Sequence, residues 1–144
     1  MHKGSCLCGS ISYELDGELS DFGYCHCRSC RKSSGSAFGA NAGADLAKLT
    51  LSDPKGFLRK FESSAGKIRA FCSNCGSPLY AYLARTPEAI RMRLGTLDTE
   101  FAKRPGAHIF VSDKAEWDEI HDALPRFNTW PSREVIGLKG SKQP

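Results

Sequence analysis

Short segments in which apolar and polar side chains alternate recur along the 144-residue chain, with turn-forming residues between them. Residues 11–15 are a clear example, since every second residue is apolar and Asp16 and Gly17 follow as a turn signal. Similar segments follow at residues 36–40, 49–51, 58–61, 68–71, 78–83, 90–94 and 108–111. Many short strands at this spacing predict a mostly β domain.

Helical patterns are few. Residues 45–48 and 113–117 could each form about one helical turn, with an aspartate as the N-cap. The C-terminal segment contains several prolines, glycines and lysines and no strand pattern. We therefore predict one domain at residues 1–128 and a tail at residues 129–144, whose last residues are frayed.

No apolar run approaches the roughly 18 residues that a membrane span needs, and the first residues lack the apolar stretch of a signal peptide. We therefore expect a cytoplasmic protein with no membrane partner, whose cysteines stay reduced. The formal net charge of +4 suggests an acidic partner. If all seven cysteines bind two Zn²⁺ ions as thiolates, the net charge falls to about +1. Basic residues are also spread along the chain, so nucleic acid is not favoured as a partner.

The seven cysteines lie in three tight clusters, and their odd number argues against a disulfide framework. In two clusters, Cys6/Cys8 and Cys72/Cys75, a glycine directly follows the second cysteine. Glycine suits the tight turn of a metal knuckle because it reaches positive φ at little cost. These four cysteines predict a closed, structural zinc site. A redox pair or an iron–sulfur cluster is the alternative for the same residues.

The third cluster is Cys25, Cys27 and Cys30, and no glycine follows it. On an extended segment Cys25 and Cys27 point the same way, and a turn would then present Cys30. Three protein ligands leave a fourth position on a zinc ion, which is typical of a catalytic site. We therefore predict that these three cysteines form a catalytic metal site.

A histidine could instead complete a second structural site. His26 is a poor candidate because it lies between two ligands and its side chain should face away from the metal. The remaining histidines leave this alternative open: His2, His108 and His121.

Three thiolates on one Zn²⁺ form a complex with one net negative charge. This charge should weaken the ionisation of a bound water, whereas a soft sulfur shell suits exchange with another thiolate. The predicted substrate is therefore a small thiol. Arg28, Arg31 and Lys32 could attract an anionic thiol, although a solvated surface is the more ordinary interpretation of such charges.

The cysteine motifs also carry a family resemblance. Matching segments are GSCLCG at 4–9, YCHCRSCRK at 24–32, GSAF at 35–38, FCSNCG at 71–76, GTLD at 95–98 and HIFV at 108–111. With these motifs, the chain resembles the glutathione-dependent formaldehyde-activating enzyme family, which also includes centromere protein V. The similarity runs from about residue 3 to about residue 128.

The resemblance implies a β-tent fold of short antiparallel sheets and two zinc ions per chain. It implies that Cys6, Cys8, Cys72 and Cys75 hold a structural ion and that Cys25, Cys27 and Cys30 hold a catalytic ion. The implied activity is that of a carbon–sulfur lyase, the condensation of formaldehyde with glutathione to S-(hydroxymethyl)glutathione.

The identity of the general acid or base is open. Tyr24, Asp98 and His108 are the candidates, and only proximity to the site can promote one of them. Two other functions also stay open. One is an enzyme of the same type that acts on a different small molecule, and the other is a non-catalytic zinc module that binds protein or nucleic acid.

Overall fold

The computed structural model describes residues 1–131, which fold into ten strands, one α-helix and three 3₁₀ turns. The strands are β1 (His2–Ser5), β2 (Ser12–Leu15), β3 (Phe22–Cys25), β4 (Gly39–Asp45), β5 (Leu49–Ser52), β6 (Leu58–Ser64), β7 (Lys67–Cys72), β8 (Pro78–Leu83), β9 (Thr86–Arg93) and β10 (His108–Ile109). The helix α1 spans Arg28–Ser34, and the 3₁₀ turns are Leu46–Lys48, Leu94–Thr96 and Val111–Asp113. The prediction of a mostly β protein is confirmed.

The strands form two sheets that enclose the main core. The smaller sheet has the order β1-β2-β5, and the larger has the order β10-β3-β4-β9-β8-β7-β6. All neighbouring strands are antiparallel except β10 and β3. Ile11 and Leu15 from the smaller sheet and its preceding loop pack in one cluster with Ala70 and Met92 of the larger sheet. Because Ile11, Leu15 and Met92 are almost completely buried, each stabilises the fold by roughly 1.5–3 kcal/mol.

Eight of the ten strands overlap a predicted segment, and residues 78–83 coincide with β8, whereas β1 and β3 were not predicted. The predicted turn at 45–48 is a 3₁₀ turn in which Asp45 caps the backbone N–H of Ala47 at 2.9 Å. Two predictions are corrected. The strand predicted at 36–40 begins only at Gly39, and the helical turn predicted at 113–117 is Val111–Asp113 instead.

The helix α1 was not predicted, although Gly35 is a recognisable signal for its C-terminal end. Cys27 is the N-cap, and its sulfur accepts a hydrogen bond from the Cys30 backbone N–H at 3.3 Å. Gly35 ends the helix at φ 64°, in the left-handed region that favours glycine. The chain after Cys27 therefore continues as a helix, where we had expected only a turn.

The division at residue 128 stays a prediction, and the expected fraying of the last residues concerns positions outside the described part of the chain. At the start of the predicted tail, Trp130 packs edge-to-face on Phe110 with ring centroids 5.3 Å apart. No helix within residues 1–131 has both the length and the apolar character needed to cross a bilayer.

Candidate metal centres

Four cysteine sulfurs from two distant parts of the chain meet at one point, Cys6, Cys8, Cys72 and Cys75. The Cys6 and Cys8 sulfurs are 3.6 Å apart, and the Cys8 and Cys72 sulfurs are 3.9 Å apart. A tetrahedral site with Zn–S bonds of about 2.3 Å requires sulfurs about 3.8 Å apart. The spacing of these four side chains therefore fits a single zinc ion.

Two similar turns present these sulfurs. Gly9 and Gly76 adopt φ values of 73° and 80°, as expected for the residue that closes a knuckle. The Gly9 N–H donates to the Cys6 carbonyl at 2.9 Å, and the Gly76 N–H donates to the Cys72 carbonyl at 2.8 Å. One turn joins β1 to β2 and the other joins β7 to β8, so this cluster connects the two sheets.

The three remaining cysteines form the second cluster, and their sulfurs lie within 4.8 Å of one another. Cys25 ends β3, Cys27 caps α1 and Cys30 lies in the first helical turn. The parallel pairing of β3 with β10 and the short helix together fix this arrangement. No other histidine, cysteine or carboxylate of residues 1–131 joins the three sulfurs.

The three thiols of this cluster differ in pKa. Hydrogen bonds from Cys25 and Cys27, followed by the charges of Arg93 and Arg69, lower the pKa of Cys30 to about 2. The same thiol–thiolate contacts, together with burial, raise the pKa of Cys25. The cluster is thus suited to hold anionic sulfur, the form in which cysteine binds metal.

Two buried histidines, His26 and His108, lie next to the strand and loop that carry the three cysteines. The Nε2 atom of His26 lies 2.8 Å from the Nδ1 atom of His108, and the two side chains are almost fully buried. The Nε2 atom of His108 lies 2.9 Å from the Asp122 carboxylate. Since a carboxylate only accepts, Nε2 of His108 donates to Asp122, and with both rings neutral its Nδ1 accepts from His26.

Burial, followed by the charge of His108, lowers the pKa of His26, which favours its neutral form. The backbone N–H of His26 also donates to the Ile109 carbonyl at 2.9 Å. Because His26 lies between Cys25 and Cys27, these bonds fix the orientation of both cysteines. The expectation that His26 faces away from the sulfurs agrees with this geometry.

The other histidines also lie apart from the three sulfurs. Both ring nitrogens of His108 are already bonded within the Asp122–His108–His26 chain. His121 is exposed and pairs with Glu119 at 3.3 Å, and His2 packs against Phe101. The described residues therefore offer no histidine that completes a four-ligand site.

A cavity of about 640 Å³ lies beside Cys6 of the closed cluster. Its lining also includes Leu7, Gly39, Asn41 and Arg93. A Cβ atom at Gly39 would lie 3.3 Å from the Cβ of Cys30, so the cavity wall is in contact with the three-cysteine cluster. This volume is large enough for a small-molecule ligand.

The structure distinguishes the three candidate acids and bases by position. Asp98 lines the cavity and accepts a hydrogen bond from the Ser5 hydroxyl at 2.8 Å. Tyr24 instead packs on Phe38 with centroids 4.1 Å apart, and His108 is buried in the histidine pair. Asp98 is therefore the one of the three beside the cavity.

Two cavity residues, Arg93 and Asn41, were not predicted from the sequence. Arg93 is only 7% exposed and donates a hydrogen bond to the Asn41 side chain. The sequence signal that could have identified Arg93 is the alternation of charged and apolar residues in Arg91-Met92-Arg93, which places both arginines on one face of a strand. The predicted cations Arg28, Arg31 and Lys32 line a different cleft of about 290 Å³, beside the exposed Trp117.

Comparison with known proteins identifies the family. A family model described as "Glutathione-dependent formaldehyde-activating enzyme" matches residues 1–113. The chain belongs to this family. The resemblance inferred from the cysteine motifs is thereby confirmed, and membership of this family indicates an enzyme.

Two curated proteins are similar to this chain in sequence. A Halomonas elongata protein named "Putative glutathione-dependent formaldehyde-activating enzyme" is 27% identical over 126 residues, which cover 82% of this chain and 80% of that protein. An uncharacterized lyase of Schizosaccharomyces pombe is 33% identical over 79 residues, covering 55% of this chain and 56% of that protein. The chain thus spans only about half of the yeast protein's length.

The fold also has a counterpart among solved structures. The crystal structure of a Rhodobacter sphaeroides protein matches with a TM-score of 0.56 and 23% sequence identity. The match covers 69% of this chain and 91% of that chain, and it concerns the fold alone.

Proposed function

We propose that the protein is a zinc-dependent carbon–sulfur lyase or synthase. It would join a small thiol, glutathione, to formaldehyde or a related carbonyl at Cys25, Cys27 and Cys30. The observation that carries this proposal is the second cluster itself. Its three sulfurs lie within 4.8 Å of one another, and no further ligand side chain of residues 1–131 joins them.

The two clusters would hold two zinc ions with different roles. The four sulfurs of Cys6, Cys8, Cys72 and Cys75 saturate a tetrahedral ion, which supports a structural role. A zinc ion at the other cluster would offer its fourth position to a soft ligand and would lower the pKa of a thiol that occupies it. The two clusters therefore support one structural and one catalytic site.

The proposed reaction forms one bond and transfers one proton. The thiol sulfur attacks the carbonyl carbon, the C=O π pair moves to oxygen, and the proton lost by the thiol ends on that oxygen. No oxidation or reduction occurs, and the reverse reaction breaks the same C–S bond. Among the candidates, Asp98 is the one that lines the cavity, and we propose it for the proton transfer.

Arg93 and Asn41 would orient the substrate. Both line the cavity wall at Gly39, which is in contact with Cys30. A guanidinium beside this wall favours a developing or permanent negative charge on the substrate. The size of the cavity supports a small molecule as the substrate.

The test is a measurement of adduct formation by zinc-loaded protein mixed with glutathione and formaldehyde, relative to the spontaneous rate. We expect acceleration by the wild-type protein and by Ser29→Ala, an exposed change in the same turn. Cys27→Ser should remain folded, retain one zinc ion and lose the acceleration. Parallel assays with other small carbonyls would define the second substrate. If two zinc ions are bound and no carbonyl reacts faster than in buffer, the proposed activity is wrong.

A further inference from the structure

Four cationic side chains occupy one face of the larger sheet, beside the three-cysteine cluster. Successive side chains of a strand point to opposite faces of its sheet. Ala70 of β7 and Met92 of β9 face the core, so the residues next to them in sequence face the opposite side of the larger sheet. The residues on this other side, here named the cationic face, are Lys67, Arg69, Arg91 and Arg93. The register places Arg69 and Arg91 on either side of Ala81.

The cationic face is partly buried and lacks acidic partners. Arg93 is buried, and the other three side chains are partly buried. None of the four forms a salt bridge with a carboxylate of residues 1–131. The Nε atom of Arg93 is buried and has no hydrogen-bond partner among the described residues. Buried charges are normally paired, so this arrangement calls for an anion.

The helix α1 lies close to this face. The Nη1 atom of Arg69 donates to the Ser33 hydroxyl at 3.3 Å, and its Nε atom donates to the Ser63 hydroxyl at 2.8 Å. A Cβ atom at Gly39 would lie 3.6 Å from Nη1 of Arg93 and 3.3 Å from the Cβ of Cys30, so both side chains border the same residue. The cationic face and the sulfurs are therefore parts of one electrostatic site.

The sulfurs alone do not balance these charges. Three thiolates that hold one Zn²⁺ ion carry a single net negative charge, so four cations leave a surplus of about three positive charges. Burial, followed by the charges of Arg69, Arg91 and Arg93, lowers the pKa of Lys67 to about 8, as expected for crowded cations. A ligand with several negative charges would remove this repulsion.

We propose that the cationic face binds the carboxylates of a small anionic thiol whose sulfur reaches Cys25, Cys27 and Cys30. Arginine suits this role because its planar guanidinium forms paired hydrogen bonds with a carboxylate. The inference rests on the proposed function, whose thiol, glutathione, has two carboxylates, and it adds the residues that would recognise them. Neutral thiols of similar size should bind weakly.

The experiment separates the cationic face from the sulfur site by using two probes on zinc-loaded protein. S-methylglutathione keeps both carboxylates but has no free thiol, and its diethyl ester lacks the negative charges. Calorimetric titration should show that S-methylglutathione binds and that the diester binds at least about tenfold more weakly. Arg91→Gln and Arg69→Gln should each weaken S-methylglutathione binding by roughly tenfold or more. Lys55→Gln removes an equal charge from an exposed position and should change the affinity less than about twofold.

Three results would overturn the proposal: no binding of S-methylglutathione, equal binding of its diester, or an equal loss of affinity in Lys55→Gln. Tighter binding of a single-stranded oligonucleotide, lost in Arg91→Gln, would also overturn it, because the face would then serve nucleic acid. Cobalt-substituted protein and 2-mercaptoethanol, a neutral thiol, report on the sulfur site alone through the thiolate-to-cobalt absorption. A missing absorption change with intact S-methylglutathione binding would reject the proposed thiol capture and keep the anion site.

Discussion

Lys67→Met would test the cationic face without altering a sulfur ligand. Burial, followed by three neighbouring arginines, lowers the pKa of Lys67 from its ordinary value of 10.5 to about 8. At about 1.4 kcal/mol for each tenfold change in the protonation equilibrium, the charged form is disfavoured in the folded protein by about 3 kcal/mol. Because part of the side chain remains in water, we expect the variant to be more stable than the wild type by about 1–2 kcal/mol near neutral pH.

The pH dependence of this gain has a definite sign. Between about pH 8 and about pH 10.5 the unfolded chain keeps a proton that folded Lys67 has released. The stability contribution of Lys67 therefore rises with pH across this window, and the advantage of the variant should disappear by its upper end. The same variant should bind S-methylglutathione more weakly at neutral pH, since one cation of the site is gone.

The assay is urea unfolding of zinc-loaded wild type and variant, at about pH 7 and about pH 10, because urea does not screen charges. Lys55→Met is the matched control, and we expect it to change stability by less than about 0.5 kcal/mol. A Lys67→Met protein that is less stable than the wild type at neutral pH would refute the reasoning. A difference in stability that does not shrink as the pH rises would refute it equally.

Three further predictions concern the metal centres and their supports. Cys72→Ser should lose one zinc ion and most of its folded population, because the closed cluster joins the two sheets. Metal content and circular dichroism measure these losses, and a folded variant with two ions would contradict the prediction. Gly39→Ala should lower kcat/KM by about tenfold without unfolding the protein. The new Cβ would lie 2.9 Å from Asn41 Nδ2 and 3.3 Å from Cys30 Cβ. Unchanged kinetics would show that the cavity wall is not part of the site. His108→Phe should cost about 1–3 kcal/mol in chemical unfolding because it leaves the buried His26 without its hydrogen-bond partner, whereas exposed His121→Phe should cost little; equal effects would contradict the role of the pair.

Eight of the ten strands and the cysteine groupings could be predicted because their signals are local. Alternation marks a strand within five or six residues, and a glycine after a cysteine pair marks a knuckle. The structure brings Cys6, Cys8, Cys72 and Cys75 together, and it groups Cys25, Cys27 and Cys30 separately, as the spacing indicated. The roles assigned to these cysteines stay predictions.

What the sequence could not predict depends on strand order. The cationic face exists because β8 places Ala81 between Arg69 and Arg91, and no local pattern predicts that pairing. The contact of His26 with His108 likewise requires the parallel pairing of β3 with β10, across 82 positions of sequence. The start of α1 was missed because a cysteine, an unusual N-cap, replaces the serine or aspartate that normally marks a helix start.

A ¹¹³Cd NMR spectrum of protein in which cadmium replaces both zinc ions would test whether one metal site is closed and the other open. We expect two resonances: one from the four-sulfur cluster and one from the three-sulfur cluster. Addition of glutathione should move only the second resonance, toward the position typical of four sulfurs, and Cys27→Ser should remove that response. Two four-sulfur resonances before glutathione is added, or a second resonance that glutathione does not move, would contradict this expectation.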